Sequence, residues 1–400
     1  MLLRRPPAIY VAVGGIATLV VFSILLHQTG PHVPLLASAG FGGGSVPPPP
    51  KPDLLDDINN STLGFEKILV VGMPARSDRR DGMFLGAALS EMEIEFVDSS
   101  DGTSVPDKAL PMMDEARERP PNPVVGSWRG HVNAIREVVR RNLTSALIME
   151  DDVDWDIHIR QQLQNFARSS RALTQPLEGG PPGTYADPTY GPAAAGKREG
   201  PMHEMNLDSL PNTIDPVTSP YGDDWDVLWF GHCGQRFANK DDKNVPKGRV
   251  VQSDDKTVAQ KRYLGSVLPF DYGQQYPDHT RVVSHVQDGL CSLAYAVSQR
   301  GARALLLDTG LKDFSAAFDI LLHWACSGEY DRGYHRCLTV IPGLIQHHRP
   351  AGPRNKNSDI SGHAGIQEKA ETHEIRYSVR LNAEEILAGV TNYVDQFPDV

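Results

Sequence analysis

An α/β fold on one open sheet is predicted for this sequence, and three observations predict it. Short, β-branched apolar runs at 67–71, 94–97, 146–149, 226–231, 292–297 and 338–341 have the length of buried strands. Helical patterns lie between several of them, and strands alternating with helices argue for a parallel sheet. The run 146–149 then ends abruptly in Glu150, Asp151, Asp152, Asp154 and Asp156. Open α/β sheets carry ligands at the carboxyl ends of their strands, so this acidic end marks the functional edge.

In chain order, residues 8–26 contain no charge and reach roughly 28 Å as a helix, close to the hydrocarbon thickness of a bilayer. Arg4 and Arg5 precede this span and the next basic residue is Lys51. The positive-inside rule makes 1–7 a cytosolic tail, 8–26 a transmembrane signal anchor, and the rest lumenal. A cleaved signal peptide, ending near Ala37-Ser38-Ala39, is the competing reading. Residues 27–63, with glycines at 42–44 and prolines at 47–50, read as a stem. Asn59, Asn60 and Asn142 each open an Asn-x-Ser/Thr glycan acceptor. Anchor and stem together favour the Golgi.

The catalytic-domain candidate is 64–362. Strand 67–71 leads through Arg76-Ser-Asp-Arg-Arg80 into a helical pattern, and strand 94–97 ends at Asp98 and Asp101. Residues 128–141 read as an amphipathic helix with His131 near its start, and 157–173 as another. Residues 175–222 lose all periodicity and read as a disordered insertion or lid. Residues 235–285 are polar and irregular, with weak strands near Val250 and Val267. Helices are expected at 301–307 and 318–324, and 363–400 forms a C-terminal extension, helical near its end. Cys233, Cys291, Cys326 and Cys337 allow three disulfide pairings, with Cys326–Cys337 the first choice and buried free thiols the alternative.

Acidic residues outnumber basic ones, 50 to 39, for a net charge of −11, and no basic patch is interleaved with aromatics. Nucleic acid is therefore excluded as the expected partner. Crowded carboxylates repel unless a cation sits among them. Hard oxygen ligands suit Mg²⁺ or Mn²⁺, particularly when a substrate phosphate completes the shell.

The order of motifs is similar to glycosyltransferase family 25. The opening strand with its arginine-rich turn, Gly126-Ser-Trp-Arg-Gly-His131, 146–153, 224–231, 294–302, Phe318-Asp-Ile-Leu321 and Ser358-Asp-Ile360 follow the family's succession of segments. The chain departs from the pattern at Gly72-Met73, Ser127 and Gly130. The resemblance implies a GT-A-like, single Rossmann-type domain that binds a nucleotide sugar, commonly UDP-galactose, and inverts the anomeric carbon. The acceptor would be a glycan or glycoprotein.

Such a transfer needs the diphosphate neutralised and the acceptor deprotonated. Asp152 and Asp154 are the expected metal and diphosphate ligands, supported by Glu150 and Asp151, with His347 or His348 as a further contact. Asp319, on the segment matching the family's Val-Asp, is the first candidate base and Asp288 the second. Arg76, Arg79 and Arg80 would meet phosphate, Asp98 and Asp101 the ribose or base, and His131 a phosphate at a helix start. The alternative is a catalytically inactive binding or scaffold protein with the same fold. A phosphoryl hydrolase lacks its nucleophile loop.

Overall fold

In a computed structural model, the described residues are 53–111, 118–191, 198, 200–265 and 270–400. The proposed tail, anchor and most of the stem lie outside them, as does Val267. Among the described residues no helix is long and apolar enough to cross a membrane. All of them belong to one compact unit, Pro52–Val400.

The strands are β1 (Lys67–Gly72), β2 (Glu95–Asp98), β3 (Ser145–Glu150), β4 (Val153–Trp155), β5 (His203–Asn206), β6 (Val227–Gly231), β7 (Gly234–Arg236) and β8 (Gly248–Gln252). They continue as β9 (Arg281–His285), β10 (Gln287–Leu290), β11 (Ala294–Ser298), β12 (Cys337–Ile341), β13 (Ile345–Arg349), β14 (Gly352–Pro353), β15 (Ile366–Gln367) and β16 (Glu371–Thr372). The helices are α1 (Ser77–Leu89), α2 (Asn122–Arg141), α3 (Ile159–Thr174), α4 (Phe270–Gln275), α5 (Gln299–Leu307), α6 (Phe318–Ser327) and α7 (Ala383–Leu387).

Nine strands form the main sheet in the order β2-β1-β3-β11-β6-β12-β9-β8-β5. β1 is parallel to β2 and β3, and β6 to β12, but β11 and β9 run antiparallel to their neighbours. The sheet is therefore mixed, not parallel as expected. A strand covered on both faces is a continuous apolar run in either direction, so the pattern carries no orientation.

Successive residues of the central strands alternate between two cores. Ile68, Val70, Leu147, Met149, Leu228 and Phe230 join residues of α1 and α3 on one face. Leu69, Val71, Ala146, Ile148, Val227 and Trp229 join residues of α2, α5 and α6 on the other. This period-two division makes three layers and fixes the register, because a one-residue slip would exchange the two faces.

α2 begins six residues earlier than expected, with Pro123 in its first turn, so His131 lies mid-helix and not at a helix start. Its close packing depends on small residues: a Cβ on Gly130 would come within 2.7 Å of Val71 and 2.8 Å of Ser99.

The described parts of 175–222 are not a disordered insertion. β5 forms an edge of the main sheet, and Asp187 is fully buried, accepting from the Gly248 N–H at 2.8 Å. Tyr221 is also buried and donates to the Leu63 carbonyl at 2.7 Å. These anchors are polar or isolated aromatics, to which hydrophobic periodicity is blind. β9 was likewise hidden in a polar stretch. The C-terminal segment is helical only at α7; elsewhere it is turns and short strands, tied by Arg376 to Asp395 (2.7 Å) and Asp399 (2.9 Å).

The cysteines pair as Cys233–Cys291 and Cys326–Cys337.

Candidate active site

β3 delivers Glu150 to the carboxyl edge of the sheet, and a two-residue turn, Asp151-Asp152, leads into β4. β4 pairs antiparallel with β13, placing His347 opposite Val153 and Gln346 opposite Asp154. The His348 N–H donates to the Asp152 carbonyl at 2.9 Å. Alternation along β13 then separates the histidines. His347 and Arg349 face Asp152, while His348 faces Thr372 (3.0 Å).

Glu150, Asp152 and His347 each offer one ligand atom, and these atoms lie within 4.8 Å of one another. Asp152 Oδ2 accepts from Arg349 at 3.0 Å and lies 3.4 Å from Arg79. Its Oδ1 is buried without a hydrogen-bond partner among the described residues, 4.0 Å from His347 Nε2. A buried orphan carboxylate oxygen beside an imidazole and a second carboxylate fits a divalent cation that accepts both O and N ligands. Burial works to raise the pKa of Asp152, but His347, Arg79 and Arg349 together hold it below the usual range. Burial also opposes ionisation of Glu150, which the neighbouring His131 offsets. Burial, against the pull of Asp152, holds His347 below its ordinary value.

Asp151 turns away from this trio. Its carboxylate accepts from Arg79 at 2.8 Å, and burial nonetheless pushes its pKa up to about 6. The close approach depends on Gly72, where a Cβ would lie 2.4 Å from Asp151 Oδ2.

A chain of hydrogen bonds stands behind Glu150. Ser292 Oγ donates to Glu150 Oε1 at 2.9 Å, His131 Nε2 lies 3.1 Å from Ser292 Oγ, and His131 Nδ1 lies 3.2 Å from the Tyr295 hydroxyl. The His131 ring stacks on Phe318 at 4.4 Å.

The trio opens into a cavity of about 710 Å³. Its walls are the end of β1, residues 99–102, the first turns of α2, residues 291–293, Ala317 to Asp319 at the start of α6, and the loop 358–361 with His363. Arginines tie that loop down: Arg79 and Arg349 both donate to the Asn357 carbonyl, at 3.1 and 2.8 Å, and Arg76 pairs with Asp359 and with the Lys356 carbonyl.

Other expected residues fall elsewhere. Asp154 is fully buried behind the site, its carboxylate taken by Thr372 (2.8 Å), Ser378 and the Arg380 N–H, so the structure does not bring it to the cavity. Arg80 pairs with Asp98 and stacks on Phe96, and neither lines the cavity. Asp101 lines it but also caps a short 3-10 turn through Thr103 (2.8 Å). Asp319 lines it, with Oδ2 accepting from the Cys291 N–H at 2.8 Å. Asp288 does not line it; it pairs with Arg236 and with His323 (3.0 Å), and with His323 and Glu329 forms a separate cluster. Sequence reasoning missed Ser292 and Arg349 as site residues, and read Ser358-Asp-Ile360 as a family segment without placing it at the cavity. The two-residue spacing of His347 and Arg349 was the available signal for the second.

No family model matches the chain. Against curated proteins it is 23% identical over 186 residues to procollagen galactosyltransferase 2 of Homo sapiens, covering 37% of this chain and 30% of that protein. It is 28% identical over 114 residues to procollagen galactosyltransferase 1 of Danio rerio, covering 26% and 19%. Its curated relatives are thus procollagen galactosyltransferases and a member of glycosyltransferase family 25. One of them, 31% identical over 124 residues (28% of this chain, 20% of the relative), is the human inactive glycosyltransferase 25 family member 3. The chain spans less than a third of the length of the relatives it matches.

Proposed function

We propose that this protein is a metal-dependent, inverting glycosyltransferase of GT-A type. It moves a sugar, galactose from UDP-galactose, onto a glycan or glycoprotein in the Golgi lumen, anchored by its N-terminal span. The observation that carries this reading is the orphan Asp152 Oδ1, buried among Glu150, His347 and two arginines at the floor of a large cavity. The procollagen galactosyltransferase relatives support the reaction class and the galactose donor. The two disulfides support an oxidising compartment.

Glu150, Asp152 and His347 would hold Mn²⁺ or Mg²⁺, which when bound supplies charge neutralisation for a departing diphosphate. Arg79 and Arg349 offer guanidinium N–H groups to phosphate oxygens at the same place. Asp319 is the general base: the acceptor hydroxyl attacks the anomeric carbon, the bond to phosphate breaks, and the hydroxyl proton passes to Asp319. The Cys291 N–H orients the Asp319 carboxylate at the cavity wall.

The test is UDP release from UDP-sugars by the purified chain, with and without Mn²⁺ and with Asp152→Asn and Asp319→Asn. Mn²⁺-dependent release lost in both variants is the expected result. Release that ignores Mn²⁺ and Asp152 refutes the proposal. A second reading, a sugar-nucleotide binder that does not transfer, has the inactive relative in its favour. It predicts Mn²⁺-dependent UDP binding with no release from any donor.

A further inference from the structure

We infer that a second groove binds an uncharged oligosaccharide. The groove lies between the start of α3, the end of β8 and residues 391–393, has a volume of about 570 Å³, and shares no lining residue with the acidic cavity. Three observations point to this ligand class.

The acidic and basic side chains along the groove lie in pairs. Asp254 pairs with Lys256, Asp255 with Arg281 at 2.7 Å, and His158 with Asp156 at 2.7 Å. Each basic side chain that lines the groove, Lys256 and His158, thus already has a carboxylate neighbour, which disfavours a phosphate or an acidic peptide. Among the described residues no aliphatic side chain lines it either, which disfavours an apolar peptide. What remains is neutral: five side-chain amides, Gln162 and Asn165 among them, two threonine hydroxyls, and the phenols of Tyr377 and Tyr393.

Gln162 is oriented and only half satisfied. Thr257 Oγ1 gives its one proton to Asp255 at 2.7 Å, so the group Gln162 turns toward Thr257, at 2.8 Å, is Nε2. Gln162 is 4% exposed, and its Oε1 has no partner among the described residues. A buried carbonyl oxygen without a donor is costly, and a sugar hydroxyl is a donor of the right size.

The tyrosines add ring surface. Tyr377 is half-buried and braced edge-on against His158 at 5.5 Å, and Tyr393 is half-buried beside the exposed Asn392. Aromatic bodies with polar tips accept the C–H face of a pyranose while neighbouring amides take its hydroxyls. The inference does not depend on transfer at the acidic cavity.

The experiment is saturation-transfer NMR on the full chain with a panel of neutral di- to tetrasaccharides, followed by calorimetric titration of those that respond. We expect at least one to bind, unchanged by EDTA and by Asp152→Asn. Tyr393→Ala and Asn165→Ala should each weaken it about tenfold, the size of one lost neutral contact. Unchanged melting temperatures would confirm that both variants fold. The inference is overturned if no oligosaccharide responds, if both variants bind normally, or if EDTA or Asp152→Asn abolishes binding, which would put the sugar in the acidic cavity. Loss of UDP release with this binding intact would sink the proposed function alone.

Discussion

Ser292→Ala tests the acidic site through a residue that would touch no metal. Ser292 is 5% exposed and its hydroxyl fixes the rotamer of Glu150 at 2.9 Å. Each group in the chain behind Glu150 has one proton to give. Ser292 gives its own to Glu150, so a hydrogen bond between Ser292 and His131 requires the proton on His131 Nε2, and the Tyr295 hydroxyl would then donate to Nδ1. Removing the serine hydroxyl deletes a hydrogen bond to a charged acceptor, about 1.5–3 kcal/mol, or about 10- to 100-fold in affinity for an ion that needs Glu150 in place. His131 Nε2 already lies 3.4 Å from Glu150 Oε1 and can take over part of that role. The loss should therefore sit near the lower end, about tenfold, as for outer-shell partners of metal ligands. The assay is the free Mn²⁺ electron paramagnetic resonance signal during titration of the full chain, with a thermal melt in EDTA to confirm folding. An affinity within about twofold of the parent, while Asp152→Asn loses binding, would remove Glu150 from the ligand set. No effect from either variant would refute the site.

Three further predictions follow from packing and charge. Gly72→Ala drives a methyl to 2.4 Å from Asp151 Oδ2, and Arg79 keeps that carboxylate from swinging away, so urea unfolding should show a loss of about 1–3 kcal/mol; an unchanged midpoint would mean the turn yields freely. Arg141 (2.6 Å), against opposing burial and with help from Lys67, holds Glu95 at about 2, below its unfolded value. Its contribution is therefore present above the unfolded pKa and lost as pH falls toward about 2; Glu95→Gln should lower the melting temperature at neutral pH and leave it unaltered near pH 2. The disulfides close separations of 58 and 11 residues, for which loop entropy gives about 4 and about 3 kcal/mol, so Cys233→Ala/Cys291→Ala should destabilise more than Cys326→Ala/Cys337→Ala in guanidinium unfolding. The reverse order would show that native-state packing of the pair outweighs loop length.

Much of the fold was legible in local pattern. Six apolar runs became strands of the main sheet, and α3 and α6 began within two residues of expectation, because hydrophobic period survives in the sequence itself. β5 and β9 were not legible. Asp187 and Tyr221 are held by bonds whose partners lie far along the chain, and such bonds leave no periodic trace.

The sequence by itself determined that a strand would end in a carboxylate cluster at a ligand-bearing edge, since apolar run and acidic end are contiguous. It also supplied a His-His-Arg segment and a cysteine pair eleven residues apart. Only the tertiary structure decided which of these groups meet. The antiparallel pairing of β13 with β4 turns His347 and Arg349 toward Asp152 and His348 away from it. The same pairing, with Thr372, Ser378 and the Arg380 N–H behind it, buries Asp154, whereas Glu150 is left free to face His347. Strand register is set by contacts between segments roughly 190 residues apart, and a one-residue change of register exchanges the faces of every side chain it carries.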